Sequence, residues 1–144
     1  MTQSTVPATG RNTQLVLQFL DLMDRQQYDA VEAFLSPDFH LYFSGQQFDR
    51  EQMMAIVRGV YESFADFKHE VQETLAVDDR VILRIIDRAT HTGAFEGVPA
   101  TGRRINVGQI SIFRVTDEKI VEIREEADLL GLMQQIGAVP VHAS

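Results

Sequence analysis

The sequence predicts an α+β fold, in which helices pack on one face of a mainly antiparallel sheet. Apolar residues recur at helical spacing through much of residues 13–64. From Lys68 onward the apolar period changes to two, as in strands that have one solvated face. The 144 residues, of which 44% are hydrophobic, suit one domain with one core. The predicted order is helix, helix, strand, helix and four strands, with a short helix at the end.

Three helices are predicted in the first half of the chain. The first covers residues 13–26, where six apolar residues share helical spacing. The second follows directly, with Asp29 as its candidate cap and Pro37 as its stop. Asp49 and Gln52 have the spacing of a capping box, which predicts the start of the third helix.

The predicted strands alternate apolar and polar residues. In "DFHLYF", His40 and Tyr42 share the face opposite to three apolar residues. The four later strands are, in chain order, "HEVQETLAV", "VILRIIDRATH", "RRINVGQISIFRV" and "KIVEIREEA". A loop rich in Gly, Pro and Thr, "TGAFEGVPATG", joins the second and third of these. Residues 128–136 then predict a terminal helix that ends at Gly137.

Composition narrows the classes of function. The formal charge of −8 argues against nucleic acid or an anionic membrane as a partner. The lack of Cys excludes disulfides, thiol catalysis and thiolate metal sites. The sequence has no apolar run of about 18 residues and no secretory pattern at its N-terminus, so a cytoplasmic location is expected. Residues 1–11 are expected to form a disordered lead-in, residues 12–138 the domain and residues 139–144 a tail.

Two of the long strands carry charged residues at alternate positions. In "VILRIIDRATH", Arg84 and Asp87 fall on opposite faces. In "KIVEIREEAD", every second residue over 122–128 is charged, including Arg124 and Asp128. Such a face is either a solvated surface with cross-strand ion pairs or the wall of a cavity beneath the helices. The pattern alone leaves both interpretations open.

Asp128 stands where the last strand gives way to the terminal helix. It is either a helix N-cap or a proton-transfer group, and spacing alone favours the cap. His91, at the start of the Gly-rich loop, is either structural or catalytic. His40 and Tyr42 either line a pocket or lie on the surface. A metal site built from His40, His91 and Asp128 is not expected, because no close-spaced ligand pair occurs.

The segments "THTGAFEGVPATGRR", "ISIFRVTDEKIVEI" and "DLLGLMQQIG" together resemble the SnoaL-like polyketide cyclase family of the nuclear-transport-factor-2-like superfamily. The resemblance covers about residues 12–138. It implies a cone-shaped α+β barrel in which the N-terminal helices and a curved sheet enclose a cavity. It also implies a homodimer formed through the sheet, a small-molecule substrate, and no metal or organic cofactor.

The same resemblance implies roles for individual residues. In the family an Asp in the segment leading to "GLxQQxG" acts as general acid/base during aldol ring closure, and Asp128 is assigned to that position here. His91 matches the histidine of the "GTHTG" segment, and Arg84 matches a common arginine. Ile85 and Arg124 stand where aromatic residues are frequent, which predicts a less aromatic and more charged cavity. Arg124 would there bind a carboxylate or enolate oxygen, or pair with a carboxylate such as Asp128.

The leading functional hypothesis is a cofactor-independent cyclase, isomerase or lyase that acts on a small carbonyl compound. Its predicted catalytic residues are Asp128 and His91, and its predicted substrate-binding residues are Arg84, Arg124, Tyr42 and His40. One alternative is a non-catalytic small-molecule-binding or dimerisation module. Another is an epoxide hydrolase or dehydratase, which needs an Asp–Arg–Asp or His–Asp arrangement around one water molecule.

Overall fold

A computed structural model describes residues 8–141 of the chain. In chain order its elements are α1 (Ala8–Asp24), α2 (Tyr28–Ala33), β1 (Leu35–Phe43), β2 (Gln46–Asp49), α3 (Arg50–Ser63), β3 (Lys68–Val77), β4 (Arg80–Thr90), β5 (Arg104–Thr116), β6 (Lys119–Ala127) and α4 (Leu129–Gln135). The predicted α+β class is confirmed. No helix within residues 8–141 is long and apolar enough to cross a membrane.

The strands form one six-stranded sheet in the order β2-β1-β6-β5-β4-β3. Strands β1 and β6 run parallel, and the other neighbouring pairs are antiparallel. The prediction of a mainly antiparallel sheet is therefore confirmed. Because β2 and β3 are free edges, the sheet wraps around the helices without closing into a complete barrel.

The helix boundaries test the predicted capping signals. Asp49 accepts a hydrogen bond from the Gln52 N–H at 2.8 Å, and the Gln52 side chain accepts from the Asp49 N–H at 2.9 Å, so the capping box is confirmed. Asp29 is not the cap of α2, because Gln27 holds that position without a side-chain bond. Pro37 does not stop α2, which ends at Ala33; it lies within β1.

Two other boundaries differ from the sequence prediction. Helix α1 begins at Ala8, within the expected lead-in, whose residues 1–7 lie outside the described part of the chain. Strand β2 was not predicted. It is only four residues long, and it follows a turn at Ser44 and Gly45, which have φ angles of 54° and 75°.

The inner face of the sheet packs against α1 and α3. In β4 every second residue from Val81 to Ala89 is buried, including Asp87. In β6 the alternation is interrupted by a bulge, since Val115 pairs with Ile120 whereas Arg114 pairs with Glu122. The residues after this bulge resume a strict alternation, which decides the direction of every charged side chain near the C-terminal end of β6.

Candidate active site

A cavity of about 770 Å³ lies between the inner face of the sheet and helices α1, α3 and α4. Seven of the nine Phe residues of the chain line it, together with Tyr61. The cavity is therefore strongly aromatic, and neither Ile85 nor Arg124, on which the expectation of a less aromatic cavity rested, lines it. Ile85 is buried in the core instead. The volume is in the range of sites that enclose a small organic ligand.

The charged side chains that line the cavity are carboxyl groups and one imidazole. They include Asp87 and Glu125, and His69 lies with them. No Lys or Arg contributes to the lining within the described range 8–141. The cavity is therefore an apolar enclosure in which a few carboxyl groups and one imidazole converge, which is the usual composition of a ligand or active site.

Glu125 projects inward from β6, opposite Ser111 on β5. Its Oε1 accepts hydrogen bonds from Gln109 Nε2 at 2.8 Å and from Ser111 Oγ at 3.4 Å. Gln109 Nε2 also donates to Ser111 Oγ at 2.7 Å, so the three side chains hold one another. Both of the hydrogen bonds from Gln109 and Ser111 reach Oε1, and neither involves the second oxygen, Oε2. Burial raises the pKa of Glu125, and this outweighs the lowering by His69 and Ser111.

Asp87 projects inward from β4, where its residue surface is only 5% exposed. Its Oδ1 is buried and has no hydrogen-bond partner in the part of the chain that the structure describes. Burial raises its pKa to about 7, with further raising by Glu125 and Asp24 against a lowering by His69. A carboxyl group with this pKa exchanges its proton readily near neutral pH.

His69 is held at the other side of the cavity by Asp24, the last residue of α1. Its Nδ1–H donates to Asp24 Oδ1 at 2.7 Å, and its backbone N–H donates to Oδ2 at 3.1 Å. Tyr61 Oη also donates to Asp24 Oδ1, at 2.8 Å. Burial raises the pKa of Tyr61, as does the Asp24 charge, so the phenol remains a donor.

The charge state of His69 follows from these neighbours. Desolvation lowers the pKa of His69, but the Asp24 hydrogen bond and the charges of Asp87, Asp24 and Glu125 together raise it by more. Since Nδ1 is bonded to Asp24, Nε2 is the ring nitrogen left for other partners. The arrangement is therefore an imidazole fixed by a carboxylate and biased toward its protonated form.

Asp128 lies outside this constellation. It is exposed, it does not line the cavity, and its Oδ1 accepts from the Gly131 N–H at 2.9 Å as the N-cap of α4. A Cβ on Gly131 would lie 2.2 Å from Asp128 Oδ2, so the missing side chain at 131 leaves room for the cap. The geometry supports the capping interpretation of Asp128.

His91 is fully buried but does not line the cavity. Its Nδ1 accepts from the Thr101 N–H at 3.2 Å and lies 2.9 Å from Thr101 Oγ1. Its backbone N–H donates to the Arg103 carbonyl, and its own carbonyl accepts from Gly102 N–H, both within 2.9 Å. These contacts close the base of the Gly-rich loop, so the geometry supports a structural role.

The four predicted substrate-binding residues also lie away from the cavity lining. Arg84 pairs with Glu73 at 3.3 Å on the outer face of the sheet. Arg124 pairs with Glu122 at 3.3 Å, and its guanidinium lies 4.0 Å from the centre of the Tyr42 ring. The Tyr42 ring centre is 6.4 Å from that of His40. The structure thus brings Arg124, Tyr42 and His40 together, but as a solvent-facing cluster.

Two expectations about arginine are corrected by this arrangement. Arg124 is not a cavity residue and does not pair with Asp128, because the alternation of β6 turns it outward to Glu122. The Asp–Arg–Asp arrangement considered for water activation is not formed either. Asp87 points into the cavity, whereas Arg84 and Arg124 lie on the opposite face of the sheet.

Sequence reasoning missed the residues that do converge on the cavity. Asp87 shares its parity with Leu83 and Ile85, so a carboxylate among buried apolar residues was the available signal. Glu125 was missed because the sequence pattern assigned the polar face of β6 to Arg124 and Glu126, the residues on either side of it. Asp24 and His69 are 45 residues apart, and no local pattern joins them.

Within residues 8–141 no group of three or more His, Asp or Glu is arranged to hold a metal ion.

Known proteins resemble this chain in sequence and in fold. A family model described as SnoaL-like polyketide cyclase matches residues 13–136. The aklanonic acid methyl ester cyclase DnrD of Streptomyces peucetius is 45% identical over 47 residues, which span 33% of this chain and 32% of that enzyme. The structure of AclR, a candidate hydroxylase of Streptomyces galilaeus, superposes with a TM-score of 0.88 at 28% identity, over 95% of this chain and 87% of that one. A candidate SnoaL-like polyketide cyclase of Jannaschia sp. CCS1 has a TM-score of 0.85 at 26% identity, over 96% of this chain and 100% of that one.

Proposed function

The chain belongs to the SnoaL-like polyketide cyclase family, and from its cavity we propose that it closes a ring in a neutral, polyketide-like carbonyl compound, with Glu125 as the proton-transfer group. The observation that carries the proposal is a carboxylate held by Gln109 and Ser111 inside an apolar cavity. Glu125 also lies in the segment that leads to the terminal "GLMQQIG", where the family resemblance places an acid/base carboxylate.

The chemistry needs only one carboxylate and a place for negative charge. Glu125 Oε2 removes a proton from a carbon between two carbonyl groups, and the electrons of that C–H bond form an enolate. The enolate carbon attacks a ketone carbon of the same molecule, so a C–C bond forms and the carbonyl oxygen becomes an alkoxide. The alkoxide then takes up a proton, which makes the product an isomer of the substrate. Because burial raises its pKa, Glu125 is a stronger base than an exposed carboxylate.

The lining of the cavity favours a substrate without a free carboxylate. Asp87 and Glu125 outnumber the single imidazole of His69, and no Lys or Arg of the described residues lines the cavity to bind an anion. The aromatic walls favour flat apolar rings. The partial relative DnrD is named for a methyl ester substrate, and a methyl ester masks the charge that this cavity would reject. We therefore expect an ester to be turned over and the matching free acid to be a poor substrate.

The experiment uses aklanonic acid methyl ester as the probe, with ring closure followed by chromatography because the product has the same mass. In D2O, the same samples report exchange of the acidic C–H proton by NMR. The Glu125→Gln variant should lose both signals by at least about 100-fold, as expected for removal of a general base. Glu126→Gln is the matched control, since Glu126 is exposed on the outer face. Proton exchange in Glu125→Gln at the wild-type rate would refute the assignment, and ester binding without exchange by wild type would favour the non-catalytic binding module.

A second candidate is a dehydratase, and the observation that favours it is the His69–Asp24 pair. A dehydratase needs a base and an acid that act on one leaving hydroxyl, and a carboxylate-fixed imidazole is suited to that role. The same assay separates the two reactions, because dehydration lowers the product mass by one water molecule whereas ring closure leaves it unchanged.

We also propose a homodimer that forms through the outer face of the sheet. Leu75, Ile82 and Ile112 are cross-strand partners there, and Leu75 is 54% exposed. Ile110 beside them is 51% exposed. A contiguous apolar patch among ion pairs is typical of a protein–protein contact. Sedimentation should report a dimer at micromolar concentration, and a monomer at that concentration would overturn this proposal.

A further inference from the structure

We propose that His69, held in place by Asp24, donates the proton that the substrate alkoxide takes up during ring closure. This inference rests on the proposed function and adds a second catalytic residue, so that Glu125 acts as the base and His69 acts as the acid. Asp24 is a positioning residue, because it acts through the imidazole and does not line the cavity.

Geometry is the first support for this division of work. His69 and Glu125 line the same cavity from β3 and β6, strands that are separated by β4 and β5. The two groups therefore approach a bound ligand from different parts of the inner face. Asp24 takes both the Nδ1–H and the backbone N–H of His69, so the ring is fixed at two points. A fixed ring loses little entropy when it meets its partner.

Charge is the second support. The titratable groups around His69 are Asp24 from α1, Asp87 from β4 and Glu125 from β6, and Tyr61 from α3 is linked to it through Asp24. On its other side, His69 borders a surface pocket that contains Lys68 and two ion pairs, Glu70–Arg88 and Asp66–Arg104. The cavity side is thus dominated by carboxyl groups, which favour the imidazolium. A proton donor is what an oxygen with developing negative charge requires.

The proton balance of the cycle closes without a co-reactant. Glu125 gains the proton of the C–H bond, and His69 Nε2 gives its proton to the alkoxide oxygen. The product leaves with the hydrogen count of the substrate, the imidazole neutral and Glu125 protonated. Transfer of one proton from Glu125 to His69 restores the starting state. Asp87 is the cross-strand partner of His69 and has a pKa of about 7, so it is suited to pass that proton on.

The test uses His69→Asn, because the Asn side-chain N–H can replace Nδ1–H as the donor to Asp24 while Nε2 is lost. With aklanonic acid methyl ester as substrate, kcat should fall about 10- to 100-fold, with KM within about threefold. The decisive readout is the pH profile of kcat. Wild type should lose activity at high pH as His69 deprotonates, and this basic limb should be absent in His69→Asn.

Tyr61→Phe is the matched structural control. It removes the Tyr61–Asp24 hydrogen bond, so the melting temperature should fall. The His69–Asp24 pair remains, so the basic limb should stay. If His69→Asn keeps both the wild-type kcat and the basic limb, His69 is structural and this inference fails. In that case an inactive Glu125→Gln would leave the proposed function standing, whereas an active one would remove it as well.

Discussion

The two faces of the sheet place charged side chains in opposite environments. Strands β3 and β4 show this contrast in two neighbouring pairs of residues. His69 and Asp87 are cross-strand partners on the inner face. One residue further along each strand, Glu70 and Arg88 form an ion pair on the outer face. Burial raises the pKa of Asp87 to about 7, whereas the hydrogen bond from Arg88 lowers the pKa of Glu70.

On these strands the face to which a charged side chain points therefore determines its pKa and its chemistry. An outward carboxylate meets water and an arginine, so it stays ionised and serves the surface. An inward carboxylate loses water and meets no arginine, so burial raises its pKa, to about 7 at Asp87. Substitutions on the two faces should therefore change stability in opposite ways as the pH is varied.

The largest effect is expected for Asp87→Asn. The unperturbed pKa of 3.8 applies in the unfolded chain, and the folded pKa is about 7. The stability that this raised pKa contributes is complete below about pH 4, where Asp87 is protonated in both states. It is lost as the pH rises to 7, because the unfolded chain releases this proton first. The variant does not undergo that loss, so at pH 8 it should unfold at higher urea concentration than wild type. The gain is at most about 4 kcal/mol, because each pKa unit corresponds to about 1.4 kcal/mol.

The control for Asp87→Asn is the same measurement at pH 4, where the difference from wild type should nearly vanish. A constant difference at both pH values would mean that Asp87 does not titrate with a raised pKa, and the inner-face electrostatics would have to be revised.

A smaller effect is expected when the cap of α4 is removed. Asp128→Ala deletes the acceptor for the Gly131 N–H, so the free energy of unfolding should fall by about 1 kcal/mol. Asp128→Asn keeps an acceptor and should remain close to wild type. Thermal unfolding of the two variants measures the difference. Equal stability of both would show that the cap contributes nothing.

The smallest effect is expected for Glu70→Gln on the outer face. A carboxylate with a lowered pKa contributes stability above its unperturbed value of 4.5, and that stability is lost as the pH falls through the folded pKa. The variant should therefore be slightly less stable than wild type at pH 7 and equal to it at low pH. This pH trend is opposite in sign to that of Asp87→Asn. High salt should shrink the Glu70→Gln difference and leave the Asp87→Asn difference largely intact.

Local patterns predicted much of the fold. The change from helical to strand period, the capping box at Asp49 and the stop at Gly137 all have physical causes that act within a few residues. The short strand β2 escaped prediction because its pairing with β1 depends on a two-residue turn, Ser44–Gly45, with no strong apolar alternation.

The site was harder to predict because it is assembled from distant parts of the chain. His69 and Glu125 come from β3 and β6, and only the fold brings them to one cavity. Asp24, which holds His69, comes from α1. On β6 the direction of each residue depends on alternation after a bulge. The carboxylates at 125 and 128 lie three positions apart and so face opposite ways. Of these two carboxylates only Glu125 lines the cavity, and the sequence alone could not distinguish them.

The proposed ring closure requires that the inward carboxylate Glu125, and not the capping carboxylate Asp128, moves the proton. The most direct test is to measure kcat for ring closure of aklanonic acid methyl ester by Glu125→Gln and Asp128→Asn side by side. We predict a loss of at least about 100-fold for Glu125→Gln and a value within about threefold of wild type for Asp128→Asn. The reverse order, with Asp128→Asn inactive and Glu125→Gln active, would contradict the account.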